Sequence, residues 1–229
     1  MTGSAEDATP DDTSRHPSSE VVHRLNTALA AAGMAPLEPS LPSRFAAYLS
    51  LILRWNQRVN LTAIRDEEGI ISRHFVESIA CARELPVGIE TLLDLGSGGG
   101  FPGIPIALCR PEISVTLAES QGKKAAFLQE AVRVLGISAR VHGRRAEELH
   151  LPFDCVTLRA VDRMPAAVQI AASIVRDGGW VVLMTTGSEA AVLQSAAGPS
   201  FSWSAPTRLP GSEERIIAIG KKTATAFGQ

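Results

Sequence analysis

The stretch TLLDLGSGGGFPGIP, residues 91–105, constrains this chain more than any other. An apolar strand ends at Asp94-Leu95, and Gly96, Gly98, Gly99, Gly100 and Gly103 follow within eight positions, with Pro102 among them and Pro105 just after. Each glycine costs about 0.5–1 kcal/mol in regular structure, so such density belongs to a turn whose backbone must bend sharply or be approached closely. From residue 91 on, short apolar runs alternate with helical spacing. Strands are expected at 91–95, 113–119, 139–143, 153–160 and 178–186. Helices are expected from Pro105 to Cys109, over 123–136 closed by Gly136, and over 164–175. This succession predicts an open, mostly parallel, doubly wound α/β sheet. At the end, FSWSAPTRL and EERIIAIGKK are joined by a short Pro-Gly turn. A short turn cannot make a parallel crossover, so these two strands must be antiparallel.

The preceding third of the chain is different. Helical spacing runs over 21–33 and 41–56, and Asp66 opens a third helix with Ile70, Ile71, Phe75 and Ile79 on one face. The expected organisation is therefore a disordered acidic tail over 1–19, a helical cap over 20–88, a sheet domain over 89–222 and a short tail over 223–229. The first twenty residues carry five acids and one base, too little apolar surface to offset the entropy of ordering. They hold no basic and apolar leader, and no window approaches the roughly 18 apolar residues of a membrane span. The three cysteines are far apart with no C-x-x-C, which argues against a disulfide scaffold or a metal site and suits a reducing cytoplasm. The net charge of −2 is a poor match to nucleic acid, but without the tail residues 21–229 sum to about +2. The bases also cluster, at Arg44, Arg54, Arg58, Arg65 and Arg73 and again at Lys123, Lys124, Arg133, Arg140, Arg144 and Arg145. That distribution permits RNA without requiring it.

Gly98-x-Gly100-x-x-Gly103 satisfies the dinucleotide pattern, and Glu119 stands about twenty residues on, where a ribose-binding acid belongs. Two features point elsewhere. The glycines begin earlier, as Asp94-x-Gly96-x-Gly98-x-Gly100, and two prolines follow that donate no N–H, whereas a pyrophosphate needs several such donors. S-adenosyl-L-methionine fits this turn better: its methionine portion would lie over the glycines, with Glu119 accepting both ribose hydroxyls. The antiparallel end is similar to class I S-adenosylmethionine-dependent methyltransferases, which have a Rossmann-like doubly wound sheet with an antiparallel C-terminal strand, here with an N-terminal helical extension.

Within that class the chain resembles the bacterial 16S ribosomal RNA guanine-N7 methyltransferases of the glucose-inhibited division protein B type. The resemblance is carried by RWNQRVNLTAIRD (54–66), RHFVES (73–78), DLGSGGGFPGIPIA (94–107), GKKAAFLQE (122–130), RAEEL (145–149), FDCVTLRA (153–160) and ERIIAIGKK (214–222). It implies cofactor contacts at Gly96, Phe101, Ala146, Glu147 and Arg159, beside Gly98 and Glu119 read from the turn itself. Gly96 would let the ligand meet the backbone, and Phe101 would offer an apolar wall. Arg159 could alternatively be a structural ion-pair residue. The resemblance further implies methylation of a guanine in a 16S rRNA loop, on the small ribosomal subunit or its precursor, by a cytoplasmic monomer acting on neither membrane nor DNA. One departure stands out: where such relatives often read Leu-Lys-Gly after the fifth strand, this chain has LMTTG, with Thr186 in the lysine's place.

Guanine N7 carries an in-plane lone pair, so its alkylation needs no general base, and no catalytic acid or base is assigned. His74, Arg73, Asn60, Thr62 and Trp55 are each read as structural at least as readily as functional, Arg73 by pairing with Glu77 at i,i+4. A methyltransferase for a small molecule or protein, an NAD-linked oxidoreductase and a non-catalytic cofactor- or RNA-binding assembly module are the competing readings.

Overall fold

The computed structural model describes residues 17–149 and 151–224. Most of both expected tails, 1–16 and 225–229, lies outside those residues. Helix α1 spans Pro17–Ala31, so residues 17–19 are helical and not part of a tail. Their apolar spacing begins only at Val21, but Glu20 sits favourably in the first turn. Helix α2 spans Leu41–Asn56 as expected. The Asp66 carboxylate accepts the Gly69 N–H at 2.6 Å and opens a short helix α3, Glu67–Gly69. It continues without a break as a π-helix over Ile70–Val76 and then as α4, Glu77–Glu84. Apolar spacing predicts a helix there but not its wider π turn, a form often found at functional sites.

The sheet part runs β1 (Thr91–Leu95), α5 (Gly103–Cys109), β2 (Ser114–Ala118), α6 (Gly122–Leu135) and β3 (Ala139–His142). It continues β4 (Phe153–Arg159), α7 (Met164–Ile174), β5 (Val175–Thr186), α8 (Gly187–Ala197), β6 (Phe201–Trp203), β7 (Thr207–Arg208) and β8 (Arg215–Lys222). Strand order is β3-β2-β1-β4-β5-β8-β6, with β7 also paired to β8. The first five strands are mutually parallel. β8 is antiparallel to β5, β6 and β7. Two differences from the sequence reading stand out. Helix α8 goes unread because its core-facing residues are mostly small, Ala190, Leu193 and Ala197, and give weak periodicity. The single strand expected over 201–209 is split into β6 and β7 around Pro206, which has no N–H to give to the ladder.

The helical extension shares its core with the sheet. Leu25, Leu29, Phe45, Tyr48, Ile52, Ile71, Phe75 and Ile79 belong to the same buried cluster as Leu92, Ile104, Leu117 and Phe127. Polar ties reinforce the seam: Arg44 of α2 donates Nε–H at 3.1 Å to the Leu135 carbonyl at the end of α6. The other face packs α7 and α8 on β4 and β5 through Val156, Leu158, Val168, Ala171, Val181, Leu183 and Leu193. Strand order reverses at β1, which lies between β2 and β4, and a crevice opens beyond the carboxyl ends of these strands.

Candidate functional site

The turn over that crevice is anchored from beneath by Asp94. This carboxylate is 1% exposed; Oδ1 accepts the Thr157 hydroxyl at 2.9 Å and Oδ2 the Gly103 N–H at 3.2 Å. Burial raises its pKa to about 6, against the lowering pull of these hydrogen bonds and of Arg159. Asp94 thus ties β1, β4 and the start of α5 together. Gly103 is glycine for the same reason, since a Cβ there would stand 2.4 Å from Leu117 and 2.6 Å from the Asp94 carboxylate. The Gly96 and Ser97 N–H groups both donate to the Ala118 carbonyl, at 2.9 and 3.0 Å, folding the turn over β2.

Gly96, Gly98, Phe101, Glu119, Ala146, Glu147 and Arg159 all line one cavity of about 720 Å³ above this turn. The two glycines have different neighbours. Gly96, at φ +73°, would bring a Cβ to 2.9 Å from Val161, so its bare face admits a protein side chain. Gly98, at φ +53°, has only the Gly96 carbonyl within 4 Å of a Cβ position, at 3.8 Å, and its bare face is open. Glu119 is 7% exposed; Oε2 accepts the Gly98 N–H at 2.9 Å and Oε1 the Gln121 N–H at 2.7 Å. Each oxygen retains a lone pair, so the oriented carboxylate can accept two further hydrogen bonds.

Phe101 is buried, and the His74 imidazole stacks on it with centroids 4.5 Å apart and planes 14° apart. His74 Nε2 bonds the Thr62 hydroxyl at 2.6 Å, while its buried Nδ1 has no partner among the described residues. Burial first, then Arg159 and Arg73, lower the His74 pKa to about 3, so the ring is neutral at physiological pH. Thr62 is itself placed by Asn56, a buried amide whose Oδ1 accepts the Leu61 and Thr62 N–H groups at 2.9 and 3.2 Å. Asn56 escapes a sequence reading because, at the end of α2, it looks like any helix-terminal asparagine.

Arg159 forms an ion pair and also borders the cavity. It lines the cavity, and its Nη2 donates to Glu77 Oε2 at 2.8 Å and to the Arg73 carbonyl at 2.6 Å, with Nη1 on Ser78 at 3.2 Å. Glu77, 1% exposed, accepts Arg215 Nε–H on its other oxygen at 2.8 Å. Of the two readings open for Arg73, phosphate contact or an i,i+4 pair with Glu77, the pair is absent: Glu77 is turned inward to Arg159 and Arg215, leaving Arg73 at the cavity wall. Trp55 likewise belongs to the α2–α6 seam, its indole N–H on Glu130 at 2.8 Å and its edge on Phe127. Asn60 accepts from Arg65, and Thr186 bonds Glu189 at the start of α8, outside the cavity lining.

The loop after β4 also contributes, unsignalled by any glycine. Ala160 and Arg163 both take left-handed backbone angles, φ 50° and 51°, an uncommon conformation for side-chain-bearing residues that clusters at ligand sites. Arg73, Lys124, Arg145 and Arg163 border the cavity without a carboxylate partner among the described residues. No group of three or more His, Cys, Asp or Glu able to hold a metal occurs among the described residues, and no helix there is long and apolar enough to cross a membrane.

Five parallel strands closed by an antiparallel β8, with a glycine turn after β1 and an oriented acid after β2, define a class I S-adenosylmethionine-dependent methyltransferase. The O-methyltransferase from Bacillus cereus in complex with SAH has this fold, with a TM-score of 0.53 at 18% identity over 77% of this chain and 90% of that one. The chain belongs to the family described as rRNA small subunit methyltransferase G, whose model matches residues 42–213. Ribosomal RNA small subunit methyltransferase G of Xanthomonas euvesicatoria is 41% identical over 194 residues, 80% of this chain and 90% of that protein. Its namesake in Neisseria meningitidis is 40% identical over 163 residues, 70% of this chain and 78% of that protein.

Proposed function

We propose that this enzyme methylates N7 of a specific guanine in a loop of 16S rRNA, with Gly96, Gly98, Phe101, Glu119, Ala146, Glu147 and Arg159 forming the S-adenosylmethionine site. The observation that carries the reading is the one cavity lined by all seven residues, bordered by cations that have no carboxylate partner among the described residues. The residues fit the cofactor. Gly98 leaves open space where a side chain would stand, and Glu119 offers two oriented acceptor oxygens to ribose hydroxyls. Held by Gly98 and Glu119, S-adenosylmethionine would supply an electrophilic sulfonium methyl for the guanine N7 lone pair, its sulfur leaving as a neutral thioether. Nothing must be deprotonated, and the chain's task is alignment and exclusion of water. Phe101, backed by neutral His74, would offer a cationic cofactor an apolar wall without added positive charge. Arg73, Lys124, Arg145 and Arg163, at the cavity border, would meet RNA phosphates.

On this reading the substrate is the small ribosomal subunit or its precursor, and the enzyme works as a cytoplasmic monomer with no membrane or DNA partner. The division into an acidic tail, a helical cap and a catalytic sheet domain belongs to the same proposal. Transfer of labelled methyl to unmodified small subunits, followed by nucleoside analysis, tests it. The expected product is 7-methylguanosine; label in any other nucleoside refutes the N7 assignment. Binding should weaken steeply between about 50 and 200 mM salt, as phosphate contacts release counterions.

A further inference from the structure

We infer that Tyr48, in the helical extension, is a positioning residue that holds the glycine turn in its cofactor-binding shape. The inference rests on the cofactor reading of that turn. Tyr48 is the only tyrosine of the chain and is fully buried in α2, outside the sheet. Its hydroxyl donates to the carbonyl of Gly99, at the apex of the turn and 51 residues away in sequence. No other donor reaches that carbonyl among the described residues. The fit is close from both sides. A Cβ on Gly100 would lie 2.6 Å from the Tyr48 hydroxyl oxygen and 2.5 Å from Ile104 Cδ1, and Gly100 has φ +88°. Only glycine at 100 lets the phenol reach the turn.

The ring is held as firmly as the hydroxyl. It stacks on Phe75 of the π-helix at 5.4 Å and 18°, and lies 5.5 Å from Phe101 in the cavity wall. Burial, then Asp94, push the phenol pKa well above its usual value, so it stays protonated and donates throughout the working pH range. Without the hydroxyl, the buried Gly99 carbonyl would lack a partner in this conformation, and the turn would move to find one. That movement displaces Gly98, whose N–H orients Glu119.

Tyr48→Phe keeps the ring and removes the donor. SAH binding measured by calorimetry should weaken by at least about 5-fold and by up to about 150-fold, the range expected for one buried unsatisfied acceptor. KM for S-adenosylmethionine should rise by the same factor while kcat changes less than twofold. A residue that only supports the fold would lower Tm and leave both unmoved, and an SAH affinity within twofold of wild type overturns the inference. Wild-type protein that binds no SAH would instead overturn the cofactor reading, and this inference with it. A second arm needs no substitution: 3-fluorotyrosine labels this one site. Its single ¹⁹F line should shift on SAH addition and stay put with NAD; a line unmoved by saturating SAH also overturns the inference.

Discussion

Glu77→Gln is the perturbation that most directly probes how this site is built. The carboxylate is 1% exposed and faces two guanidiniums, Arg159 and Arg215, whose side chains are 12% and 28% exposed. Glutamine preserves the volume but offers one acceptor oxygen and turns an amide donor toward one of the two cations. Two partly desolvated positive charges would then face each other without a counter-charge. Removing one partner of a buried ion pair costs about 3–5 kcal/mol, and the partial exposure of Arg215 places the expected loss near the low end, about 3 kcal/mol. For a chain of this size that corresponds to a fall in Tm of about 6–12 °C. Urea unfolding followed by circular dichroism measures the change directly. Adding Arg215→Met to Glu77→Gln should restore part of the loss, because it removes one of the two repelling charges. A loss below about 1 kcal/mol for Glu77→Gln, or additive losses in the double variant, would refute the hub.

Gly98→Val should abolish SAH binding in calorimetry while costing only about 1–2 kcal/mol of stability, the strain of a left-handed side chain facing open space. Gly103→Ala should show the reverse balance, with the larger loss in thermal unfolding, because its Cβ meets Leu117 and Asp94. The His74 ring should show no titration above pH 5 in proton NMR. Its folded pKa, near 3, lies below the unfolded value, so its contribution to stability is complete above about pH 6.5 and is lost as pH falls toward 3. Asp94 acts with the opposite sign: its folded pKa, near 6, is raised, so its contribution is complete below about pH 4 and is lost as pH rises through 6. Asp94→Asn should therefore steepen acid destabilisation between about pH 4 and 6, measured by Tm against pH. Lys124→Ala should lower affinity for small-subunit RNA and flatten its salt dependence by about one counterion, with SAH affinity changed less than twofold.

Much of the fold is legible along the chain because its causes are local. The spacing of apolar residues marks α2 to its ends, Gly136 closes α6 in a left-handed conformation, and the strand-glycine-helix succession predicts the parallel sheet. The density of glycines at 96–103 announces a close backbone approach; Gly98 and Glu119, read from the turn, and Gly96, Phe101, Ala146, Glu147 and Arg159, implied by the family resemblance, line one cavity. The sequence cannot say what approaches each glycine: Gly96 faces Val161, Gly100 faces Tyr48, and Gly98 alone of these is open. Nor does it contain the hub, in which Glu77 meets Arg159 and Arg215 across 82 and 138 residues of chain. Backbone preference and apolar periodicity act between near neighbours and can be read from composition and spacing. Which charge lies buried against which, and which hydroxyl reaches which carbonyl, is decided only when the sheet and its helical extension close on one core.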